Sequence, residues 1–337
     1  MDRTAEQGAL VLLANDAMRA RHRPWMILLV WAWEVAWAFG IAWPLTRAVA
    51  HAYGSHPDGD GVLFRAGSLE LGDFLMNGFR MGYAGPALAS HLTILLPAAL
   101  VLGLLPLAAL MASMAHATRD RHAPRLRQLW PYVGSSFWPM AILLVVAGLA
   151  IAGLGAGAIA LGSAIASSYA GGTHAGGEPR ASWLGVCVAA IGLLLPCFVG
   201  IMHDMARAAI VRFRVTAVRS VVLAWKTIAR HPVRECWSYL WRAGVSLALV
   251  ALGALVATRL GGRPGVALFT VFVMHQLIVL SRVALRASWL ANALRSVDSA
   301  HRIQRELPVT LEPLPETAPD IPVHTDEPAA PILDQGA

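Results

Sequence analysis

Apolar runs long enough to cross a hydrocarbon core of about 30 Å recur six times along the chain, at about 25–49, 86–114, 137–166, 183–206, 238–258 and 266–290. Between them the pattern changes. Residues 4–18 place Leu10, Leu13, Ala14 and Ala17 on one helical face, after Thr4 and Gln7 at capping-box spacing. Residues 212–230 carry Val215, Val218, Val222, Trp225 and Ile228 as an apolar stripe, with Arg212, Arg219, Lys226 and Arg230 elsewhere. Both segments predict amphipathic helices lying in the membrane plane. The stretch "GSLELGDFLMNGFRMGY" (67–83) is weakly amphipathic and too polar to span. Pro97 and Pro106 predict a kink in the second span. From Glu306 onward, seven prolines and seven acids predict a disordered tail. The expected fold class is an all-α, polytopic helical membrane protein. Its parts are an amphipathic N-terminal segment (1–23), a six-span domain (24–295) and a tail (296–337).

Composition agrees. The chain is 57% hydrophobic and 14% charged, whereas soluble domains carry roughly 25% charged residues. Charge then sets the orientation. Six spans put both ends of the domain on one side, and the N-terminal segment, the 2–3 and 4–5 connectors and the stretch from Arg282 onward hold 21 of the 27 basic residues. The positive-inside rule makes that side cytoplasmic. A pI near 10 then reflects membrane sidedness, and no nucleic acid is expected as a partner. Cys187, Cys197 and Cys236 have no CxxC spacing, so neither a disulfide framework nor a zinc site is expected. The first apolar run is too long for a signal-peptide core and lacks a small-x-small cleavage site. The expected location is a bacterial cytoplasmic (inner) membrane, with N-in and C-in topology.

The spans pair into three hairpins, entered by "RHRPWMILLVW", "LRQLWPYVGSSFWPM" and "RHPVRECWSYLW", with Trp at the interfacial positions it favours. The third span is rich in small residues. Gly153 and Gly157 form a GxxxG, and Gly148, Ala152, Ala156 and Ala160 form a small-xxx-small line. This spacing predicts close approach of another helix.

Candidate chemistry centres on Glu34, a single carboxylate among Trp31, Trp33 and Trp37 about ten residues into the first span. A charge at that depth costs several kcal/mol unless protonated, paired or facing a polar cavity. His275 lies at similar depth in the sixth span, with Arg282 and Arg286 on the same face nearer the cytoplasmic end. Depth matching predicts a Glu34–His275 contact. It is either a hydrogen bond fixing helix register, the reading preferred here, or a proton- or cation-responsive pair. A second cluster, His203, Asp204 and Arg207, has i, i+3 and i, i+4 spacing at the end of the fourth span. It predicts a helix-end ion pair, joined by Arg282 or Arg286. No second ligand set accompanies it, so no metal is expected. The loop residues His51, His56, Asp58 and Asp60 read as solvated, and His91 and His116 as interfacial. HExxH, paired membrane aspartates, a serine nucleophile with its histidine, and usable nucleotide loops are all missing. No catalytic residue and no cofactor are expected.

The segment "HDMARAAIVRFRVTAVRSVVLAWKTIARHPVRECWSYLW" (203–241) and the entry "RHRPWMILLVWAW" (21–33) resemble uncharacterised bacterial six-span membrane proteins. The resemblance implies the topology and an inner-membrane location, and no activity. The sequence alone points first to a non-enzymatic scaffold or accessory subunit, organising a protein partner or anionic lipids around Arg119–Arg127 and Arg212–Arg230. Its alternative is a secondary transporter using Glu34 and His275, which requires a water-accessible cavity reaching Glu34.

Overall fold

In the computed structural model, which describes residues 16–53, 85–116, 125–170, 177–260 and 265–306, nine α-helices follow one another. They are α1 (Pro24–Tyr53), α2 (Gly85–Leu102), α3 (Leu104–Ala115), α4 (Leu126–Ala170), α5 (Gly177–Gly192), α6 (Leu194–Phe213), α7 (Ala217–Arg230), α8 (Pro232–Leu260) and α9 (Val266–Glu306). There is no strand among the described residues. Six stretches are long and apolar enough to cross a membrane. Most of the predicted N-terminal helix, the 67–83 segment, the 117–124 connector and the tail from residue 307 lie outside the described residues, as do His56, Asp58 and Asp60.

Pro24 and Pro232 open α1 and α8, where a missing N–H costs nothing. Two other prolines interrupt helices. Pro106 cannot donate to the Leu102 carbonyl, and α2 gives way to α3 at Gly103. In the same way Pro196 leaves the Gly192 carbonyl without its donor, and α5 gives way to α6 at Leu193. The helical path continues through both joints, since Gly103 and Leu193 keep right-handed angles. The second joint was not anticipated from the sequence, and Pro97 stays inside an unbroken α2.

Two helices run past their predicted spans for a shared reason. α4 begins at Leu126 and α9 ends at Glu306. Their extensions are polar on one face, which ends the apolar run without ending the helix. On the other face Leu129, Val133 and Met140 of α4, and Leu290, Leu294 and Val297 of α9, are buried. They pack with Met111 and Met114 of α3 and Met205 and Ile210 of α6 into one core. This end of the bundle is tight. At the other end Leu149, Ile191, Leu247 and Phe269 stand exposed, as suits a surface solvated by lipid.

The tight end also satisfies helix termini. Arg23 donates to the Ser113 carbonyl at 3.1 Å, and Arg212 donates to the Ala115 carbonyl and pairs with Asp298 at 2.8 Å. Two guanidinium groups thus meet the last carbonyls of α3, where the helix dipole favours cations. Arg214, left-handed at φ 52°, ends α6 and stacks 4.3 Å from the Tyr132 ring. The predicted stripe of the 4–5 connector is divided: Ile228 is buried with Ser220, Ala224 and Thr227, while Val218, Val222 and Trp225 face outward.

His116 follows α3, its ring 4.1 Å from that of Tyr132, the ring on which Arg214 also stacks. Burial holds its pKa below the ordinary value, reinforced by the charges of Arg212 and Arg214 and opposed by a hydrogen bond with the Val211 backbone. The unfolded chain titrates near about 6.5. Below that pH the unfolded state binds the extra proton first, so stability is complete above about 6.5 and is lost as pH falls through the folded-state value. The unfolding midpoint should therefore drop between pH about 7 and about 5, and His116→Phe should flatten that slope. An unchanged slope in the variant would assign the proton uptake elsewhere.

Close helix contact falls on a different face of α4 from the predicted one. A Cβ built on Gly148, Gly153 or Gly157 meets nothing within 4 Å, and Ala152, Ala156 and Ala160 are exposed. Instead a Cβ on Gly162 would lie 2.6 Å from the Gly185 carbonyl oxygen, and one on Gly192 would lie 2.6 Å from the Ala158 Cβ. The antiparallel α4–α5 seam is Ala158, Gly162 and Ala166 against Gly185, Ala189 and Gly192. Small residues are so frequent in α4 that spacing alone selects several faces; the partner's own glycines decide which one is used.

Candidate functional site

α1, α4, α6, α8 and α9 enclose a cavity of about 630 Å³. Contacts between neighbouring helices give its levels. On α8 and α9, Arg242 donates to Ser288 and Arg282 donates to Ser246 at 3.0 Å, and Gly253 lies beside Ile278. These two helices are therefore antiparallel. α6 and α9 run parallel, since the Trp289 indole donates to Asp204 at 3.0 Å and Arg212 pairs with Asp298.

Glu34 lines this cavity. The charges that act on it are those of Arg286 and Arg282. His275 is not part of the lining: its Nδ1 pairs with the Val271 carbonyl at 2.9 Å, and its Nε2 lies toward Gly253. In place of the expected Glu34–His275 contact, the charges acting on Glu34 come from arginines about two and three turns beyond His275. The apolar run 266–290 is only the first part of the helix. α9 runs for 41 residues to Glu306, which brings Arg286 to mid-helix and level with Glu34.

The second predicted cluster lines the same cavity. Arg207 pairs with Asp204 at 3.5 Å, and His203, Arg282 and Arg286 complete the group. Sequence reading missed Tyr239, Arg242, Ser246 and Trp289, which also line it. Their signal was present as i, i+3 and i, i+4 spacing along the fifth span, and as Trp289 three residues after Arg286. Arg242 is held by Ser238 and stacks on Trp241 at 4.6 Å. Behind it, Glu235 is 2% exposed and accepts from Ser296 at 3.0 Å and Asn292 at 3.3 Å.

Four arginines (Arg207, Arg242, Arg282, Arg286) face two carboxylates (Glu34, Asp204) across the cavity. With His203 neutral, that leaves a formal excess of two positive charges. Not all donors are used. Arg207 is 3% exposed and its Nε has no hydrogen-bond partner among the described residues, and the same holds for Nε2 of His203 at 9% exposure. No protein family, curated protein or solved structure matches this chain. What the cavity can hold therefore follows from its own side chains.

Uncompensated positive charge in a low-dielectric site costs free energy until an anion joins it. Guanidinium groups suit carboxylate and phosphate oxygens in particular. Among the described residues no three His, Cys, Asp or Glu side chains gather at metal-binding range.

Proposed function

We propose that this chain is a multi-pass membrane carrier for an anionic solute, with the arginine-lined cavity as its binding site. The observation that supports it is the cavity itself, because it brings Glu34, Asp204 and four arginines from four separate helices around one space. The transport alternative required an accessible cavity at Glu34; its cationic partners are Arg282 and Arg286 in place of His275. The proline joints of spans two and four lend the bundle two points of bending, and Gly200, one turn beyond the second joint, lines the cavity. On this reading the tight, arginine-capped end faces the cytoplasm of a bacterial inner membrane.

A scaffold role draws on a different observation. The outward face of α7 carries Val218, Val222 and Trp225 beside Arg219 and Lys226, a composition that suits the headgroup region of anionic lipid.

The test is uptake into proteoliposomes against a panel of labelled anions, wild type beside Arg286→Gln. Saturable uptake is expected, reduced about tenfold or more in the variant, the worth of a charge-assisted hydrogen bond. Absence of uptake for every anion, together with a stoichiometric protein retained through gentle-detergent purification, would return the scaffold role to first place.

A further inference from the structure

The cavity lining is graded along the bundle axis. Tyr239, Arg242 and Trp289 lie toward the tight end, and the Ser246–Arg282 contact lies about a turn above them. Beyond that level the lining becomes Ile151, Val250 and Val279. The cavity is open at its side at the level of that contact, where Leu247 is 71% exposed. A solute that matched only the charged end would leave these walls without a counterpart.

The charged end presents three groups that make no hydrogen bond with a described residue. Nε of Arg207 and Nε2 of His203 are buried in α6 without partners among the described residues. Arg286 of α9 makes no hydrogen bond or ion pair with a described residue, and it lies close enough to act electrostatically on both.

We infer that the cavity takes an amphiphilic phosphate monoester, its phosphate seated among Arg207, His203 and Arg286 and its alkyl chain along Ile151, Val250 and Val279. This rests on the anion-carrier reading and names the solute's class. A phosphate monoester carries about −1.5 to −2 charges near neutral pH and three acceptor oxygens. That matches the formal excess of two positive charges over the whole cavity, and the three polar groups that reach into the seat from two helices. A carboxylate offers one charge and two coplanar oxygens, so it leaves one donor and one charge unmet. The open flank at Leu247 lets a chain enter from the lipid side without drawing its headgroup through the bilayer centre.

The experiment follows the unfolding midpoint of the whole purified chain in an uncharged detergent. A long-chain alkyl phosphate, the fatty acid of equal chain length and inorganic phosphate are titrated in turn. The alkyl phosphate should raise the midpoint saturably, with half-saturation about tenfold below that of the fatty acid. Inorganic phosphate should give no rise in that range. Arg286→Gln, which breaks no hydrogen bond or ion pair with a described residue but removes a charge acting on Glu34, should weaken the alkyl phosphate response about tenfold or more. An equal, Arg286-dependent response to the fatty acid overturns the phosphate assignment and leaves the anion carrier standing. An equal response to inorganic phosphate overturns the amphiphile. A rise that survives Arg286→Gln is detergent-like partitioning and overturns the seat described here, while silence from all three probes overturns the amphiphilic phosphate and leaves the anion carrier to the uptake panel.

Discussion

Gly162→Leu is expected to separate α4 from α5 and to destabilise the bundle at or above the upper end of the ~1–3 kcal/mol that overpacking costs. The reason is what a side chain would meet. Its Cβ alone lies 2.6 Å from a backbone oxygen of Gly185 and 2.9 Å from the Ala189 Cβ. Neither is the movable end of a flexible side chain, so the helices must part. Parting removes the seam that joins them, because Gly185 and Gly192 press on Ala166 and Ala158 in the same way. Gly157→Leu is the matched control. Its Cβ meets nothing within 4 Å, and it should leave the midpoint near that of the wild type. Thermal unfolding of the two variants in detergent decides the matter, and equal midpoints would contradict the seam.

Asp204→Asn is the second large effect, expected to cost about 3–5 kcal/mol, as breaking a buried ion pair by removing one partner does. Arg207, 3% exposed, would keep its charge and lose the carboxylate 3.5 Å away. The Trp289 indole would lose a charged acceptor for a neutral one. Arg207→Met added to Asp204→Asn should recover part of the loss, since the charge that was stranded is then gone. Denaturant unfolding of wild type, single and double variants closes the cycle. A double variant less stable than Asp204→Asn would mean that Arg207 stabilises through packing and not through its pair.

The six spans were legible because a membrane demands long apolar runs whatever their partners. The charged residues of the cavity were legible one helix at a time: Glu34 by its cost, and His203, Asp204 and Arg207 by their spacing. What could not be read was their meeting. That depends on α9 continuing to Glu306, and its continuation is held by Leu290, Leu294 and Val297 against other helices. A polar face on its solvent side hid this from any measure of average hydropathy. The α4–α5 seam was hidden for the opposite reason, since small residues populate nearly every face of α4 and no single stripe stands out. Arg242 drew no attention inside the fifth span, although Tyr239 and Ser246 share its polar face at i, i+3 and i, i+4 spacing.

α6 and α9 are fastened to each other twice, at Asp204–Trp289 and at Arg212–Asp298. The two clasps lie about 12 Å apart along the helices, at 1.5 Å per residue. One alone would act as a pivot, whereas two prevent both sliding and relative tilt without breaking an ion pair or a hydrogen bond. These helices therefore move as one rigid strut, and any opening of the cavity falls to the elements across from it. α4 is 45 residues long, roughly 68 Å, and is clamped into the core only over its first half. Its free half and α5, joined along a glycine seam and hinged at Pro196, have the shape of a lever whose short arm ends at the cavity wall.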